Sequence, residues 1–424
     1  MIFFTNNSSL QQIQEELRAV RDRQKIYSDI IDEDGHQYVD LVQEGGGVLG
    51  IALLGYTWLM EQAGIRFFSL AGTSAGAINS MMMAVLGRPG EAVSGKTLQM
   101  LHEKDLAEIM DGDQRISAII NRFISNNSWK YLHVVRHLHL LRNAIRRSFG
   151  LNPGHDFYHW IDSKLKEQGI NTLSDLNRHR SRLPLLIDRN TGTPVKRAAE
   201  LCIIASDITT KSKVSFPEMA ELYWHDAEQV NPACFVRASM SIPFFFEPYV
   251  VRNIPGGGSY EDSSLTWAQS TWRRHTGFRG RIPRNVHFVD GGMLSNFPIN
   301  AFHRPGVPAK PTFGARLSTW RREAIEIDSI GRFCGALVST MRQLHDYDFL
   351  LRHRDYKHLI CSIDCDAELD QNGNPKYNIL DFNISDEKKI ALFNLGASKA
   401  LEFLKRFDWL KYKEIRSELS QPTE

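Results

Sequence analysis

The chain has 424 residues, of which 42% belong to the hydrophobic set and 24% are charged. This is enough for about two to three domains and for a large buried core. The 51 Lys and Arg residues nearly balance the 49 Asp and Glu residues, so nucleic-acid binding is not expected. Five scattered cysteines are too few for a disulfide scaffold, which is typical of a reducing compartment.

The first predicted element is an N-terminal helical extension, residues 1–37. Residues 8–32 are polar and favour a helix, with four apolar side chains on one stripe: Leu10, Ile13, Leu17 and Val20. Because the heptad is not sustained, packing on the domain is favoured over a coiled-coil arm, and a homo-oligomer is left open. The opening MIFFTNN lacks the basic and long apolar regions of a signal peptide.

A catalytic domain is predicted for residues 38–302. A short strand at 38–42 precedes Glu44-Gly45-Gly46-Gly47-Val48-Leu49-Gly50, and a helix pattern follows over 48–63 with Gly64 as its end. Consecutive glycines let backbone N–H groups converge on an anion, either an oxyanion or a phosphate. The absence of Gly-Lys-Ser/Thr excludes a Walker motif.

Residues 67–87 carry no charge over 21 positions, a length that alone would suggest a membrane span. Glycines, hydroxyl side chains and an Asn within the run contradict that reading. The pattern instead predicts a buried strand at 67–70, a sharp turn at 72–74 and a helix at 75–86 that ends at Gly87. We therefore expect a cytoplasmic protein without a transmembrane segment, and we expect any contact with a membrane to be peripheral.

The turn in this run reads Gly72-Thr73-Ser74-Ala75-Gly76, a G-x-S-x-G pattern between a strand and a helix. Glycines permit the tight turn of a nucleophile elbow, which projects the Ser74 hydroxyl outward. The helix N-terminus behind it favours developing negative charge. Taken alone, this short pattern fits a structural turn equally well.

Residues 97–150 are a predicted helical insertion that ends in the most basic patch of the chain: Lys130, Arg136, Arg142, Arg146 and Arg147. A membrane-surface helix and the solvated face of a packed helix both fit, and the second is favoured. His133 and His137 lack the Glu of a zinc-binding H-E-x-x-H motif. The polar, Gly-rich residues 250–285 are long for a connection and are a candidate lid.

Strand-like segments follow at 201–205 and 286–289. Asp290 ends the second of these strands, and ligand sites of open α/β sheets collect at strand C-termini. An Asp within hydrogen-bond reach could act as the base for a Ser hydroxyl. Alone, Asp290-Gly291-Gly292 is most often a turn.

The C-terminal segment, residues 303–424, is expected to complete the catalytic domain or pack on it. It contains a strand candidate at 358–365 and an amphipathic helix at about 386–407. Cys361 and Cys365 lie on one face of that strand and are expected in the core rather than in redox chemistry.

Three ordered motifs, EGGGVLG after a strand, GTSAG and FVDGGMLSNFPI, resemble those of the patatin-like phospholipases. The segments ASDITT, ASMSIPFFFEP and DFNIS fit the same family, so the resemblance covers about residues 38–407. It implies an α/β fold: three α/β/α layers with a mainly parallel central sheet, plus helical insertions. It also implies a Ser–Asp dyad that works without a histidine.

Carried over to this sequence, the resemblance makes Ser74 the nucleophile and Asp290 its base. Gly45, Gly46 and Gly47 then supply the amides of the oxyanion hole. Leu49 stands where the family usually has Arg or Lys, so any stabilisation from that cation is lost. The expected activity is hydrolysis of a membrane phospholipid or other acyl lipid through an acyl-serine, with no metal or cofactor.

Two rivals stay open at this point. A Ser–His–Asp esterase of the α/β-hydrolase type would need one of the histidines after Asp290: His303, His345, His353 or His358. A non-catalytic module could hold a phosphate or lipid head group on the glycine loop. An enzyme that is silent until a signal or partner engages it is also compatible with the sequence.

Overall fold

A computed structural model describes residues 7–113, 145–258, 265–319, 346–371 and 376–420, together with single positions in the gaps between these ranges. The α-helices of the described residues are α1 (Ser8–Arg21), α2 (Gly50–Gln62), α3 (Ala75–Val85), α4 (Ser94–Glu103), α5 (His155–Glu167), α6 (Leu173–Arg180), α7 (Ala233–Ser239), α8 (Leu265–Thr276), α9 (Asp386–Arg406) and α10 (Trp409–Leu419). The strands are β1 (Ile30–Ile31), β2 (Gln37–Gln43), β3 (Ile65–Thr73), β4 (Gly150–Asn152), β5 (Ile187–Asp188), β6 (Leu201–Asp207), β7 (Ser212–Phe216), β8 (Phe244–Phe246), β9 (Tyr249–Arg252), β10 (Asn285–Asp290), β11 (Thr312–Arg316) and β12 (Ile360–Ser362).

One large sheet organises the described part of the chain. Its centre is parallel, with β12, β11, β2, β3 and β6 side by side in this order. Antiparallel strands β7, β10 and β9 extend it, β1 and β5 join at its margin, and β4 pairs separately with β8. The predicted α/β fold with a mainly parallel central sheet is confirmed.

The uncharged run forms β3 and α3, so the strand and helix predicted there are confirmed. Both elements are almost entirely buried, which explains why neither shows the polar face of a surface element. Gly64 ends α2 in the left-handed region at φ +84°, as its position after the helix predicts. Gly87 is not left-handed. A Cβ there would lie 2.4 Å from Val93 Cγ1, so close packing is what requires its lack of a side chain.

The C-terminal segment completes the core. Strand β11 pairs with β2, and α9 packs along α2 at a contact that only glycines permit. A Cβ on Gly55 would lie 1.9 Å from the Phe393 carbonyl oxygen, and one on Gly396 would lie 1.9 Å from the Ala52 carbonyl oxygen. These two backbones touch directly, which holds α2 and the glycine loop before it in place.

Two predicted segments differ in detail from what the structure shows. The N-terminal helix ends at Arg21 rather than near residue 32. The candidate lid at 250–285 contains β9 and α8, and Trp272 of α8 is buried against Tyr223, with 5.3 Å between ring centroids. That part of the segment therefore belongs to the packed body of the protein.

In the basic patch, Arg142, Arg146 and Arg147 are exposed, whereas Lys130, Arg136 and the His133/His137 pair lie outside the described residues. Within the described ranges, no helix has the length and apolar character needed to cross a bilayer.

Candidate active site

Ser74 occupies a strained turn between β3 and α3. Its φ is +52° and its ψ is −117°, a backbone conformation that non-glycine residues rarely adopt. The flanking glycines are required by close contacts: a Cβ on Gly72 would lie 2.3 Å from the Gly76 carbonyl carbon, and one on Gly76 would lie 2.4 Å from the Gln43 carbonyl oxygen. The turn has the geometry that the G-x-S-x-G pattern predicts, with Ser74 at the N-terminus of α3.

The C-terminal ends of β3 and β10 meet on the same edge of β6. Thr73, the last residue of β3, pairs with Ile204, and Asp290, the last residue of β10, pairs with the adjacent Ala205. Strand β7 pairs with both of these β6 residues on the other edge. Since β3 and β10 run in opposite directions, each chain turns away where they meet, which places Ser74 and Asp290 at one point of the sheet.

This arrangement differs from the one that the sequence suggested for Asp290. Its position at a strand end predicts a place at the C-terminal ends of parallel strands, but β10 is antiparallel to β6. Asp290 reaches the end of β3 because β10 approaches from the opposite side and stops there. The backbone just beyond it remains close to β3, since a Cβ on Gly291 would lie 3.0 Å from Thr73 Cγ2.

The end of α7 and the segment after it fix both residues. The Ser74 N–H donates to Ser239 Oγ at 2.9 Å, and the Asp290 N–H donates to the Ser241 carbonyl at 2.8 Å. The Gly292 N–H donates to Asp290 Oδ1 at 2.7 Å, which orients the carboxylate.

Arg237 holds this segment in place through hydrogen bonds. It is 4% exposed, and its guanidinium donates to the carbonyls of Pro153 and Glu247 and to Ser241 Oγ. Burial lowers the pKa of the Arg237 guanidinium to about 10, so it remains charged at neutral pH. A buried cation with this many acceptors fixes the backbone that holds Ser74 and Asp290.

The glycine loop lies against Ser74. A Cβ on Gly45 would lie 3.2 Å from Ser74 Cβ, so the loop and the candidate nucleophile are in contact. Three of the loop amides are already used: Gly45 donates to Asn296, Val48 to Ile379 and Leu49 to Gly46. Among the described residues, the N–H groups of Gly46 and Gly47 have no acceptor, so these two amides are available for an oxyanion.

A buried carboxylate holds the loop in position. Glu44 is 5% exposed and accepts hydrogen bonds from the Leu317 and Ser318 amides, from Ser318 Oγ and from Asn296 Nδ2. Asn296 Nδ2 also donates to the Gly45 carbonyl at 3.0 Å. The loop is therefore tied to β11 and to the segment that follows Asp290.

Asp346 anchors that segment. Its carboxylate accepts from Ser295 Oγ at 2.6 Å and from the Phe297 N–H at 2.7 Å, on either side of Asn296. Burial raises the pKa of Asp346 from 3.8 to about 7, against the opposing effect of these two donors and of the Lys213 charge. The nearby Glu44 charge acts in the same direction as burial.

The raised pKa of Asp346 predicts a pH-dependent stability. Between pH 4 and pH 7 the folded chain binds more protons at this site than the unfolded chain does, so the contribution of Asp346 to the free energy of unfolding falls as pH rises. In Asp346→Asn, which resembles the protonated form, we expect this fall to be smaller by on the order of 2–4 kcal/mol. Denaturant unfolding of both proteins across this pH range measures it, and parallel pH curves would contradict the assignment.

An apolar cleft opens at Ser74. Gly47, Gly50, Ala75 and Asn79 contribute to its surface, and the remainder is lined by apolar side chains: Val48, Ile51, Leu54, Ile78, Leu101, Leu106, Ile109, Trp160, Met240, Ile242 and Phe382. Its volume is about 60 Å³, so a long acyl chain enters only if some of these side chains rotate. The cleft offers an acyl chain an environment without charge next to the candidate nucleophile.

Three of the four histidines that a Ser–His–Asp arrangement would require lie elsewhere. His303 Nδ1 is 2.8 Å from the Tyr356 hydroxyl, and Phe349 contacts the His303 ring edge-on and stacks on the His353 ring. His358 is in the same short segment as Tyr356, which lines a pocket with Asp40 and Thr312 near the starts of β2 and β11. These residues are at the N-terminal ends of the parallel strands, whereas Ser74 follows the C-terminal end of β3. His345 lies outside the described residues.

No candidate metal ligands are found at Ser74 within the described ranges. The group whose side chains are close enough to share an ion is Asp32, Asp34 and His36, near the start of β2. Asp32 is already hydrogen-bonded to His36 and to the Tyr38 hydroxyl. Cys361 and Cys365 are buried, in agreement with their predicted place in the core.

The fold and the site agree with one known family. The chain belongs to the patatin-like phospholipases, since the family described as Patatin-like phospholipase matches residues 41–303, the part of the chain that contains Ser74, Asp290 and the glycine loop. At family level this makes the protein a lipid hydrolase.

Individual proteins similar to this chain come from several bacteria. The uncharacterized protein YqhO of Bacillus subtilis (strain 168) is 28% identical over 374 residues, which cover 88% of this chain and 100% of that protein. The structure of VipD from Legionella pneumophila has a TM-score of 0.44 and 17% identity, covering 90% of this chain and 70% of VipD. A chain of the ExoU–SpcU complex from the type III secretion system of Pseudomonas aeruginosa has a TM-score of 0.34 and 14% identity, covering 87% of this chain and 51% of that one.

Proposed function

We propose that this protein hydrolyses fatty-acyl esters of phospholipids or related acyl lipids with a Ser74–Asp290 dyad. Asp290 takes the proton of Ser74 as Oγ attacks the ester carbonyl carbon, and the carbonyl π electrons move to the oxygen. Collapse of this tetrahedral intermediate breaks the ester C–O bond, and the leaving alcohol takes the proton from Asp290. Water then repeats the sequence on the acyl-serine and releases the fatty acid.

The observation that carries this proposal is the meeting of β3 and β10 on one edge of β6. It brings the strained Ser74 and the buried Asp290 together beside an apolar cleft. The described histidines after Asp290 lie at the opposite end of the parallel strands. A hydroxyl nucleophile needs a base, and Asp290 is the acidic group at that position.

We further propose that Gly46 and Gly47, rather than all three glycines, supply the oxyanion hole. The Gly45 amide is directed at the Asn296 carbonyl, so it contributes by positioning the loop. Leu49 is buried and apolar, so this hole acts through main-chain dipoles without a cation from that position. One such donor is worth about 3–4 kcal/mol in transition-state stabilisation.

Ser74→Ala tests the central claim. We expect wild-type protein to release free fatty acid from mixed phospholipid vesicles and to be labelled by a fluorophosphonate, because both require an activated serine. Ser74→Ala should lose at least about 10³-fold in activity and all labelling.

Ser28→Ala is the matched control. Ser28 is also a buried serine, but its hydroxyl accepts from the Ile30 amide and has no part in the proposed site. It should keep both signals. Equal fatty-acid release by wild type and Ser74→Ala would contradict the proposal. Vesicle binding without labelling or release would instead support a lipid-binding module.

A further inference from the structure

Three polar side chains form a buried relay beneath the candidate nucleophile. Gln43 ends β2, while Asn79 and Ser80 lie side by side on α3, and all three are at most 2% exposed. Ser80 Oγ is 3.1 Å from the Ala71 carbonyl oxygen, Gln43 Nε2 is 2.9 Å from Ser80 Oγ, and Asn79 Nδ2 is 2.5 Å from Gln43 Oε1.

The bond from the Ser80 hydroxyl to the Ala71 carbonyl sets the direction of the other two bonds. The Ala71 carbonyl can only accept, so Ser80 must donate its hydroxyl proton there. Ser80 Oγ then accepts from the Gln43 side-chain NH₂, which turns Gln43 Oε1 toward Asn79. Asn79 must therefore present its NH₂ group to Gln43, and its own carbonyl oxygen, Oδ1, faces away from the relay.

Asn79 Oδ1 has no donor among the described residues, although the atom is buried. A buried acceptor without a partner costs about 1–3 kcal/mol, and buried amides in native proteins are nearly always paired. Rotating the Asn79 amide by itself would not help, because it would bring two oxygens together at Gln43. A donor from a bound molecule, either water or a group of the substrate, would satisfy this atom.

The cleft is where such a donor can arrive, since Asn79 and Ser74 both line it. Asn79 lies five residues after Ser74, about 7 Å along the axis of α3 from the helical rise. The other side chains of the cleft are almost entirely apolar. A polar acceptor in an otherwise apolar acyl-chain site discriminates among chains by what they carry at that depth.

We propose that Asn79 Oδ1 accepts a hydrogen bond from a hydroxyl group on the acyl chain of the substrate, several carbons from the ester. The inference rests on the proposed hydrolysis by Ser74 and adds the class of acyl chain that the cleft prefers. A hydroxylated chain satisfies the buried acceptor, an unsubstituted chain leaves it unpaired, and an oxo-substituted chain places a second acceptor against it.

The test uses p-nitrophenyl esters of one unsubstituted fatty acid, its hydroxy derivatives with the hydroxyl moved one carbon at a time along the chain, and the matching oxo acids. We expect wild-type kcat/KM for at least one hydroxy isomer to exceed those for its oxo and unsubstituted partners by about tenfold, the value of one well-placed hydrogen bond. In Asn79→Leu the three substrates should become nearly equal. Ile78→Val, its apolar neighbour in the cleft, should keep the preference.

Ser80→Ala provides a second, milder variant in case Asn79→Leu folds poorly. Without the Ser80 hydroxyl, the Gln43 and Asn79 amides are free to rotate together, and the NH₂ group of Asn79 can face the cleft. The hydroxy-over-oxo preference should then fall toward one, or reverse. Such a change is not expected from a role in packing alone.

Each outcome has a separate meaning. A wild-type protein that hydrolyses the unsubstituted ester through Ser74 but shows equal kcat/KM for every hydroxy, oxo and unsubstituted ester would overturn this inference and leave the proposed function intact. Loss of hydrolysis for all esters in the wild type would overturn the proposed function itself. A preference that survives Asn79→Leu unchanged would assign the hydroxyl to another residue.

Discussion

Asp290→Asn is expected to lower kcat for ester hydrolysis by about 10²–10⁴-fold, the usual contribution of a general base. The substitution keeps the shape of the side chain and an oxygen for the Gly292 amide, which the carboxylate now binds at 2.7 Å. It removes the basic oxygen and the negative charge that accept the Ser74 proton. Measured kcat for the folded variant, with fluorophosphonate labelling slowed in parallel, checks this expectation.

The comparison that decides between a dyad and a triad is with the histidines. His303→Ala, His353→Ala and His358→Ala should each retain wild-type kcat. His303 and His353 pack around Tyr356, and His358 lies in the same short segment as Tyr356, at the opposite end of the parallel strands from Ser74. His345→Ala completes the set. A histidine variant that lost as much activity as Asp290→Asn would replace the dyad by a Ser–His–Asp arrangement.

Much of the fold follows from patterns that are local in the chain. The uncharged run predicts β3 and α3 because a doubly covered strand and a core helix lack polar faces, and Gly64 marks the end of α2 through its left-handed conformation. The helix predicted near the C-terminus is α9 to within a residue. These features depend on neighbours in sequence, so periodicity and turn residues report them well.

The site was only partly predictable, because its decisive geometry is non-local. Nothing in the motif around Asp290 shows that β10 is antiparallel and ends against β3. Glu44 and Asn296 lie inside recognised motifs, but their role in holding the glycine loop appears only when β11 is placed beside β2. No sequence motif marks the Asp346 carboxylate, because it acts through contacts with residues about fifty positions earlier in the chain.

Backbone directions account for another difference between sequence and structure. The glycine loop predicts three converging amides, but an amide is useful to an oxyanion only if no other acceptor holds it. The Gly45 amide is held by Asn296, whereas those of Gly46 and Gly47 are not held by any described residue. Composition shows that such a loop can bend, and only the folded chain shows which N–H groups remain available.

Gly47→Ala is the sharpest test of that assignment. Gly47 has φ +54°, and a Cβ there would lie 2.1 Å from the Ile379 carbonyl oxygen, which already accepts from the Val48 N–H. The loop must shift to relieve this clash, and the Gly46 and Gly47 amides shift with it. Losing one oxyanion donor typically costs about 10²–10³-fold in kcat, and we expect a loss of this size.

Gly64→Ala separates this effect from backbone strain. Gly64 is also left-handed, at φ +84°, but nothing lies within 4 Å of its Cβ position. Alanine there should cost about 1 kcal/mol in the free energy of unfolding and leave kcat unchanged, because Gly64 is at the opposite end of α2 from the glycine loop. Both variants are compared at a temperature where both are folded. If Gly47→Ala then matched Gly64→Ala in kcat and in labelling rate, the oxyanion hole would have to be placed elsewhere than on the Gly46–Gly47 amides.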